Sequence, residues 1–445
     1  MRTVSLVLAA LAVVAAPSLR AQENPAEPPA PAQAGDKPSD KPAEKPAEPT
    51  AQKPADKPAE KKLLPVSAGS DGFTLQNESG DFRLQLRGYA QLDGRFFSGD
   101  EGALAIDSFT LRRVRPIVAG SLGRYFDFSL MPDFGGGVTV LQDAYLDFKP
   151  SPKLKFRFGK YKSPVGLERL QSASAIHFVE RAFPTAIVPN RDVGVMVFGD
   201  LAGGVVSYAG AILDGAPDGG SVDGDTNDGK DLAGRLFLSP FKRGTSLLKD
   251  LGVGIAGTTG KQTGPLPAYR SAGQISVITI QTGITADGTR TRYSPQLSFY
   301  SGRFGLLAEY AQSSSRVKKA DGTRFDLDAS AWEVTTTIAL TGDKASYAGV
   351  RPVKPFDPSK GQWGALELTA RVHELELDRA AVDQGAIDPT KSARKLSAWG
   401  VGLTWSLTRN VKQLADFEHV SFKGGALSGD RESENVFFIR TQFSF

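Results

Sequence analysis

The sequence contains no cysteine and only three histidines. Disulfide bonds, thiolate metal ligands and a lipid-modified N-terminal cysteine are therefore excluded. His177, His373 and His419 leave few possible bases for a Ser-His-acid site, and no Gly-x-Ser-x-Gly elbow accompanies them. No phosphate-cradling loop, zinc pattern or dinucleotide fingerprint is present either. We therefore expect no enzyme activity, no catalytic residues, no cofactor and no metal site.

Long apolar segments are also missing beyond the beginning of the chain. Residues 4–16 form an apolar run of about thirteen residues between Arg2 and the small-residue exit at Ala21. That run is too short to span a bilayer as a helix and has the layout of a secretory signal peptide. No later stretch of roughly eighteen apolar residues follows, which excludes a helical membrane protein. We predict a signal peptide over residues 1–21.

A strong charge of one sign is missing as well. The formal net charge is +4, and removing Arg2 and Arg20 with the signal peptide leaves about +2. No overall electrostatic attraction to nucleic acid is expected from so small an excess. The positions of the charges are therefore more informative than their sum.

A segment rich in Pro, Ala, Lys and Glu follows the signal peptide. It contains repeated Lys-Pro-Ala-Glu and Lys-Pro-Ala-Asp units and almost no apolar residue that could form a core. Frequent proline favours extended geometry, so about forty residues could form a semi-rigid periplasmic spacer on the order of 100 Å long. We predict a disordered Pro-rich linker over residues 22–65. It is either a solvated tail without a partner or a contact to peptidoglycan or another envelope protein.

From about residue 72 onward, short alternating segments replace the linker. In one of them Phe82, Leu84 and Leu86 share one face, whereas Arg83 and Arg87 share the other. The same division recurs at residues 153–159, 303–311, 331–340, 364–372 and 399–407. About 375 residues with charged inner faces cannot pack as one dry core, because unpaired buried charge is very costly.

This pattern predicts an all-β protein: a transmembrane antiparallel β-barrel over residues 66–445 with a water-filled lumen. At roughly ten residues per strand the length fits about sixteen strands, with fourteen or eighteen as the alternatives. In the last strand Phe437, Ile439, Thr441, Phe443 and Phe445 share one face. A terminal aromatic such as Phe445 resembles the signature that the barrel-assembly machinery of the outer membrane reads, which makes that machinery an expected partner.

Several consecutive motifs are more specific than the alternation. They are Ser-Phe-Thr-Leu-Arg-Arg-Val-Arg at 108–115, Tyr-Phe-Asp-Phe at 125–128, Leu-Gln-Asp-Ala-Tyr-Leu-Asp-Phe at 141–148, Phe-Gly-Lys-Tyr-Lys-Ser-Pro-Val-Gly-Leu-Glu at 158–168, and shorter ones at 178–181, 191–195, 361–368 and 402–405. Together they resemble the phosphate-selective porin O and P family over most of residues 73–445. The resemblance implies a sixteen-stranded barrel in the bacterial outer membrane, commonly a homotrimer, with a basic lumen and a loop folded inward. It implies no phosphate selectivity here, because the lysine cluster of that specificity has no residue-by-residue match.

Basic residues on the inner faces are the candidates for an anion path. An anion that crosses a low-dielectric membrane needs compensating charge along its route, and arginine suits phosphate through its bidentate fork. By strand phase, seven basic residues point to the lumen: Arg83, Arg87, Arg95, Arg113, Arg115, Lys155 and Arg157. Because Arg112 and Arg113 are adjacent, one of them must face the other way or lie at a bulge.

Alternation is lost after Arg157, which predicts a constriction loop. The irregular stretch contains Pro164 and Gly166 and continues to about residue 191. Its candidate residues are Lys160, Lys162, Glu168, Arg169, Arg181 and Arg191. We expect Arg169, Arg181 and Arg191 to oppose Glu168, Glu180 and Asp192 beside the narrowest point. Alternatively, these charges form structural ion pairs that pin the loop to the wall.

Acidic residues such as Asp133, Asp147, Glu309, Glu367 and Glu418 also lie on predicted inner faces. We therefore predict a mixed lumen with a net basic constriction. The resulting interpretation is a passive outer-membrane porin for small hydrophilic solutes that prefers anions, phosphate-like or polyphosphate-like ones among them. The alternatives are a weakly selective general porin and an outer-membrane or peptidoglycan tether. Expected partners are outer-membrane lipid, lipopolysaccharide, small anions and two further copies of the chain.

Overall fold

The computed structural model describes residues 65–98, 105–225 and 227–445. The predicted signal peptide over 1–21 lies outside the described residues, as does the predicted linker over 22–65 apart from Pro65. Within the described ranges no helix combines the length and the apolar character needed to cross a membrane.

Sixteen antiparallel strands close into a barrel, which confirms the predicted fold class and strand number. The strands are β1 (Phe82–Ser98), β2 (Ser108–Leu122), β3 (Phe126–Asp133), β4 (Val140–Ser151), β5 (Leu154–Lys162), β6 (Arg191–Leu201), β7 (Val206–Leu213), β8 (Asp231–Leu238), β9 (Leu251–Pro265), β10 (Thr285–Ser301), β11 (Phe304–Lys318), β12 (Arg324–Ala339), β13 (Ala365–Leu377), β14 (Ala393–Ser406), β15 (Val411–Ala426) and β16 (Glu434–Ser444). Each strand pairs with its neighbours in the chain, and β16 pairs with β1.

The alternation of side chains explains why these segments form a barrel wall. In β11, Leu307, Glu309 and Ala311 are buried toward the interior, whereas Phe304 is well exposed and Tyr310 faces outward with it. A strand of this kind presents apolar side chains to lipid on one face and packs its other side chains into the barrel interior. The pattern therefore requires a closed sheet with two different surroundings.

A β-bulge in β2 resolves the adjacent arginines. Gln91 of β1 lies opposite Arg113, whereas the next residue, Leu92, lies opposite Leu111. Arg112 is therefore the extra residue of a bulge. Because the bulge absorbs this residue, the inward and outward side chains of β2 still match those of β1 on both sides of it. As a result both Arg112 and Arg113 turn inward toward Glu180.

The two ends of the barrel differ in their connections. At one end most turns are short, such as 123–125 and 302–303, and at the other end four connections are long: 163–190, 214–230, 266–284 and 378–392. The connection 163–190 contains the short helices α1 (Leu167–Leu170) and α2 (Pro184–Ile187). The connection 266–284 contains the paired strands Tyr269–Arg270 and Ser276–Ile278. A third short helix, α3 (Ala380–Asp383), lies between β13 and β14. Short turns mark the periplasmic end of outer-membrane barrels. The connection 340–364 departs from this rule, because it is long and lies at the short-turn end.

A small hairpin covers part of the edge of β1. Val66–Gly69 pairs with Gly72–Gln76, which in turn pairs with β1 up to Leu86. The pairing between β16 and β1 begins only at Tyr89. The hairpin therefore occupies the stretch of β1 that β16 leaves unpaired, so that this stretch is not an open sheet edge.

A buried ion pair closes the seam between the first and last strands. Asp93 of β1 lies directly opposite Arg440 of β16, and two hydrogen bonds of 2.6 Å join the guanidinium to the two carboxylate oxygens. Both side chains are almost inaccessible to solvent. Because bidentate pairs fix geometry as well as charge, this contact sets the register of closure.

Replacing Asp93 with alanine should destabilise the barrel by about 3–5 kcal/mol, because the buried Arg440 charge is then left without its partner. The urea midpoint of the folded band in heat-modifiable gel electrophoresis measures this loss. The exposed pair Arg316–Asp326 on the outer face provides the control. Asp326→Ala should cost less than about 1 kcal/mol, and an equal loss in both variants would show that the seam pair has no special role.

Candidate functional site: the inward loop and the passage beside it

The connection 163–190, called the inward loop below, folds into the barrel. Pro164 has no backbone N–H to donate to a neighbouring strand. Gly166 has a φ of +86°, a conformation that residues with a side chain rarely adopt. A Cβ at Gly166 would lie 2.7 Å from Val188 of the same loop. The end of β5 is thus fixed by local backbone chemistry, and the chain turns toward the barrel axis there.

Carboxylates of the opposite wall hold the inward loop. The N–H of Leu167 donates to both carboxylate oxygens of Glu309 at 2.8 Å, and the N–H of Glu168 donates to one of them at 3.1 Å. Asp416 accepts the N–H of Val179 in the same way. Since these amides have no strand partner, the acidic side chains of β11 and β15 supply the acceptors they require.

A second group of contacts holds the far part of the loop. Arg371 donates to the backbone oxygen of Glu180 at 3.0 Å and pairs with Glu418. His373 accepts the N–H of Phe183 at 3.2 Å and also contacts Glu418 at 3.1 Å. The charges on β13 and β15 are therefore used to anchor the loop.

Apolar packing fills the space behind the loop. Val165, Phe183 and Ile187 of the inward loop belong to one buried cluster with residues of β12 to β14, among them Leu327 and Leu375. This cluster occupies the half of the lumen next to those strands. The two cavities described below are lined instead by residues of β2 to β8, of the inward loop and of the connections 214–230 and 266–284.

The connection 340–364 supports the inward loop from the short-turn end. The hydroxyl of Tyr347 donates to the backbone oxygen of Leu167 at 2.5 Å. Gln171 donates to the backbone oxygen of Tyr347 at 2.6 Å, and the Tyr347 ring packs edge-on against Tyr300. The loop is thus held from the periplasmic end as well as from the wall.

The three acidic residues of the predicted constriction contact the barrel wall or backbone N–H groups. The prediction that they oppose Arg169, Arg181 and Arg191 is therefore wrong. Glu180 pairs with Arg112 and lies 3.8 Å from Arg113. Burial raises the pKa of Glu180, but the charges of these two arginines outweigh it and hold the pKa well below its ordinary value. Glu168 accepts the N–H of Ala182 at 2.8 Å and lies 3.8 Å from Arg371.

The remaining pair also differs from the expectation. Arg191 pairs with Asp143 of β4 at 3.0 Å rather than with an acid of the loop. Asp192 accepts backbone N–H groups of Gly215 and Ala216. The physical reason is the same in each case, because buried carboxylates are drawn to the amides and cations of the surrounding walls.

Three basic side chains, two in the inward loop and one at the end of β5, donate hydrogen bonds only to backbone oxygens. Lys162 donates to the oxygens of Leu170 and Gln171 at 3.2 and 2.7 Å, and Arg181 donates to the oxygens of Glu168 and Gln171 at 3.1 and 2.6 Å. Arg169 donates to the oxygen of Thr185. Among the described residues none of the three forms an ion pair with a carboxylate. Lys162, Arg169 and Arg181 are called the cation cluster below.

Electrostatic repulsion is evident within this cluster. Burial, together with the charges of Arg181 and Arg191, lowers the pKa of Arg169 to about 9. The group still carries its proton at neutral pH. A buried cation with cationic neighbours and no carboxylate partner favours an incoming anion.

Two cavities meet at the cation cluster. The loop-side cavity has a volume of about 560 Å³ and is lined by all three cluster residues. The turn-side cavity has a volume of about 420 Å³, and Lys162 is the lining residue that it shares with the loop-side cavity. Lys162 therefore stands at the junction between the two spaces.

The seven strand residues predicted to line the path fall into two groups. Arg113 and Arg115 line the loop-side cavity, and Lys155 and Arg157 line the turn-side cavity. All four have partners, since Arg113 donates to Gln91 and the other three form ion pairs. The three residues that line neither cavity are Arg83, Arg87 and Arg95.

The placement of these three corrects the predicted path. Arg83 and Arg87 are exposed near the short-turn end of β1, beyond the two cavities. Arg95 lies near the opposite end and donates to the backbone oxygen of Gly273 at 2.5 Å. Strand phase gives the face of a residue but not its height in the barrel, which is why the prediction included all three.

The predicted loop residues also need two corrections. Lys160 and Lys162 belong to β5, and Arg191 begins β6, so the irregular segment is narrower than predicted. Lys160 pairs with Asp223 of the connection 214–230 and lines neither cavity. Sequence reasoning missed Arg235 and Arg270, which line the turn-side and loop-side cavities. The alternation of β8 was the available signal for Arg235.

The fold and the lumen define the class of protein. A closed sixteen-stranded antiparallel barrel narrowed by a loop from between β5 and β6 is an outer-membrane channel of the porin type. The sequence matches the family described as phosphate-selective porin O and P over residues 82–445, and the chain belongs to this family. It is an outer-membrane porin, and its family and fold indicate a channel rather than an enzyme.

Solved structures of the same architecture support the fold. The outer membrane channel DcaP of Acinetobacter baumannii is 12% identical with a TM-score of 0.56, covering 83% of this chain and 99% of that one. The anion-selective porin from Comamonas acidovorans is 12% identical with a TM-score of 0.53, covering 81% and 99%. OmpT of Vibrio cholerae, folded in vitro, is 12% identical with a TM-score of 0.52, covering 82% and 98%. A search of curated proteins finds no match.

Replacing Glu309 with alanine should loosen the inward loop by about 1–3 kcal/mol, because the N–H groups of Leu167 and Glu168 lose their acceptor. Amide hydrogen exchange within 163–190 should then be faster and the single-channel current noisier. Glu374→Ala is the matched control, since Glu374 pairs with Lys395 on the outer face. Unchanged exchange in the Glu309 variant would contradict the anchoring role.

Proposed function

We propose that the protein is a passive porin that prefers small anions. The observation that carries the proposal is the cation cluster, which lies at the junction of two cavities and has no carboxylate partner among the described residues. An anion that passes this point meets three basic side chains that no carboxylate contacts directly within the described part of the chain. A cation passing the same point is repelled.

The arrangement of acidic residues supports the same preference. Glu309, Glu367, Asp416 and Glu418 lie on the wall behind the inward loop, where they accept loop amides or contact His177, His373 and Arg371. These four wall acids face the loop and line neither cavity. The carboxylates that do line the cavities are each paired with a cation: Asp133 with Arg115, Glu180 with Arg112, Asp218 with Arg292, Asp143 with Arg191 and Asp200 with Lys155.

The contacts of the cation cluster are compatible with transport rather than tight binding. Each cation is oriented by backbone oxygens, so its position is fixed before a solute arrives. Guanidinium groups bind carboxylate and phosphate in the same bidentate geometry. Several weak contacts in series allow a solute to enter and to leave, which conduction requires.

A potassium chloride gradient across a planar bilayer tests the preference. The reversal potential should have the sign of chloride selectivity, and millimolar phosphate should reduce the chloride current. Each lost charge weakens an anion contact by about 1 kcal/mol in aqueous surroundings. The double variant Arg169→Gln/Arg181→Gln should therefore lower the chloride-to-potassium permeability ratio several-fold.

The double variant Arg83→Gln/Arg87→Gln removes the same number of charges at the periplasmic rim and serves as the control. It should leave the permeability ratio almost unchanged, because these arginines line neither cavity. A potential of the opposite sign in the unaltered protein would overturn the anion preference. A potential near zero would leave a weakly selective general porin.

We also propose that three copies assemble through the loop end of β2 and its neighbours. Ile106, Phe109 and Leu111 are each more than half exposed there. At the loop ends of β10 to β12 the outward residues are charged instead, as in the exposed pair Arg316–Asp326. An apolar surface at this height is better covered by protein than by water.

The mass of the detergent-solubilised protein, measured by light scattering, tests the assembly. The unaltered chain should be a trimer, and Phe109→Ser/Leu111→Ser should yield monomers, because the patch loses much of its apolar area. Phe304→Ser, on an outward face far from the patch, should stay trimeric. A monomeric unaltered chain at every concentration would contradict this assembly.

A further inference from the structure

The lumen wall formed by β5 to β8 is unusually apolar for a path used by inorganic ions. One buried cluster there consists of Tyr161, Met196, Ala211, Leu213 and Ala233, with Tyr145, Phe198 and Ala209 packed against it. Five of these side chains line the turn-side cavity: Tyr145, Tyr161, Met196, Phe198 and Ala209. Apolar surface beside water is unfavourable, so a solute that covers it gains free energy.

Strand register arranges this wall into two rows. In one row Lys155, Phe198, Ala209 and Arg235 lie side by side across β5 to β8. In the next row Arg157, Met196, Ala211 and Ala233 lie side by side. All eight share the inward face, because the two rows are two residues apart along each strand.

Small residues form a recess within these rows. Ala209, Ala211 and Ala233 lie on adjacent strands and are bordered by the larger Phe198 and Met196. Neighbouring strands are about 4.8 Å apart, and successive inward residues of a strand are about 7 Å apart. The alanine recess is therefore about as wide as one six-membered ring.

Aromatic faces and a free donor surround the recess. The guanidinium carbon of Arg157 lies 3.8 Å from the ring centre of Tyr145 and 5.3 Å from that of Phe198. Tyr161 is completely buried against the cavity, and its hydroxyl has no hydrogen-bond partner within the described part of the chain. Aromatic rings in such surroundings gain stacking and edge contacts beyond their buried area.

Two cations at the cavity are available to an acid group. Lys162 contacts only backbone oxygens, and Arg235 donates to the amide oxygen of Gln296 at 3.0 Å. Neither forms an ion pair among the described residues. By contrast, Lys155 and Arg157 are neutralised by the carboxylates of Asp200 and Asp147.

We infer that the turn-side cavity is a subsite for organic anions that carry an aromatic ring. The ring lies in the alanine recess against Phe198 and Met196, and the acid group lies between Lys162 and Arg235. A cavity of about 420 Å³ has the volume of a small-molecule site. This inference rests on the proposed anion preference and specifies the class of solute.

Competitive block of the chloride current tests the subsite. Benzoate, cyclohexanecarboxylate and acetate carry the same charge, and the first two have nearly the same size. In planar bilayers containing the full-length protein, benzoate should block at concentrations about tenfold lower than acetate, because the ring buries apolar area in the recess. Cyclohexanecarboxylate should block less well than benzoate, since it has no flat π face.

Two variants locate the effect. Ala209→Leu, at the one alanine of the recess that lines the cavity, fills the recess and should bring the benzoate and acetate concentrations to within about twofold of each other. Arg235→Gln should weaken block by both carboxylates, because it removes an acid partner without altering the recess. Ala308→Leu, on the outward face of β11, is the matched control and should leave the benzoate preference unchanged.

The outcomes separate this inference from the proposed function. Chloride selectivity combined with equal block by benzoate and acetate would overturn the aromatic subsite alone. Equal block by benzoate and cyclohexanecarboxylate would overturn the assignment of an aromatic ring. Cation selectivity would overturn both proposals. If Ala209→Leu does not fold, the benzoate-to-acetate ratio of the unaltered protein and the response of Arg235→Gln still decide the question.

Discussion

The lumen depends on carboxylates of one wall that accept backbone N–H groups of the inward loop. A loop placed inside a barrel carries amides without strand partners, and each unpaired buried amide costs about 1–3 kcal/mol. Glu309 and Asp416 remove that cost at Leu167, Glu168 and Val179. The same contacts withdraw negative charge from the passage. One interaction therefore fixes the position of the constriction and directs these two carboxylates to the loop backbone.

The barrel could be predicted from the sequence because lipid and lumen make opposite demands on alternate residues of every strand. The contacts of the constriction could not be predicted in the same way. Glu180 pairs with Arg112 across 68 positions of the chain, and that pairing depends on the path of the loop. The location of the β2 bulge was equally open, since a phase change at either Arg112 or Arg113 fits the alternation.

Height within the barrel was the other quantity that strand phase did not provide. Arg83, Arg157 and Lys155 all fall on inward faces, yet Arg83 lies near the periplasmic rim and the other two line a cavity. The apolar wall of β5 to β8 was missed for a related reason. Ala209 and Ala211 lie on β7 and Ala233 lies on β8, and the three become a recess only when the register places them beside Phe198 and Met196 of β6.

The contact between Tyr347 and Leu167 gives the constriction a support that is hidden from the cell surface. Loops tolerate insertions and deletions far better than the strands that they connect. The connection 340–364 starts and ends at the short-turn end of the barrel, opposite the connection that forms the constriction. A change in its length or sequence would therefore alter the support of the constriction without altering any residue of the inward loop itself.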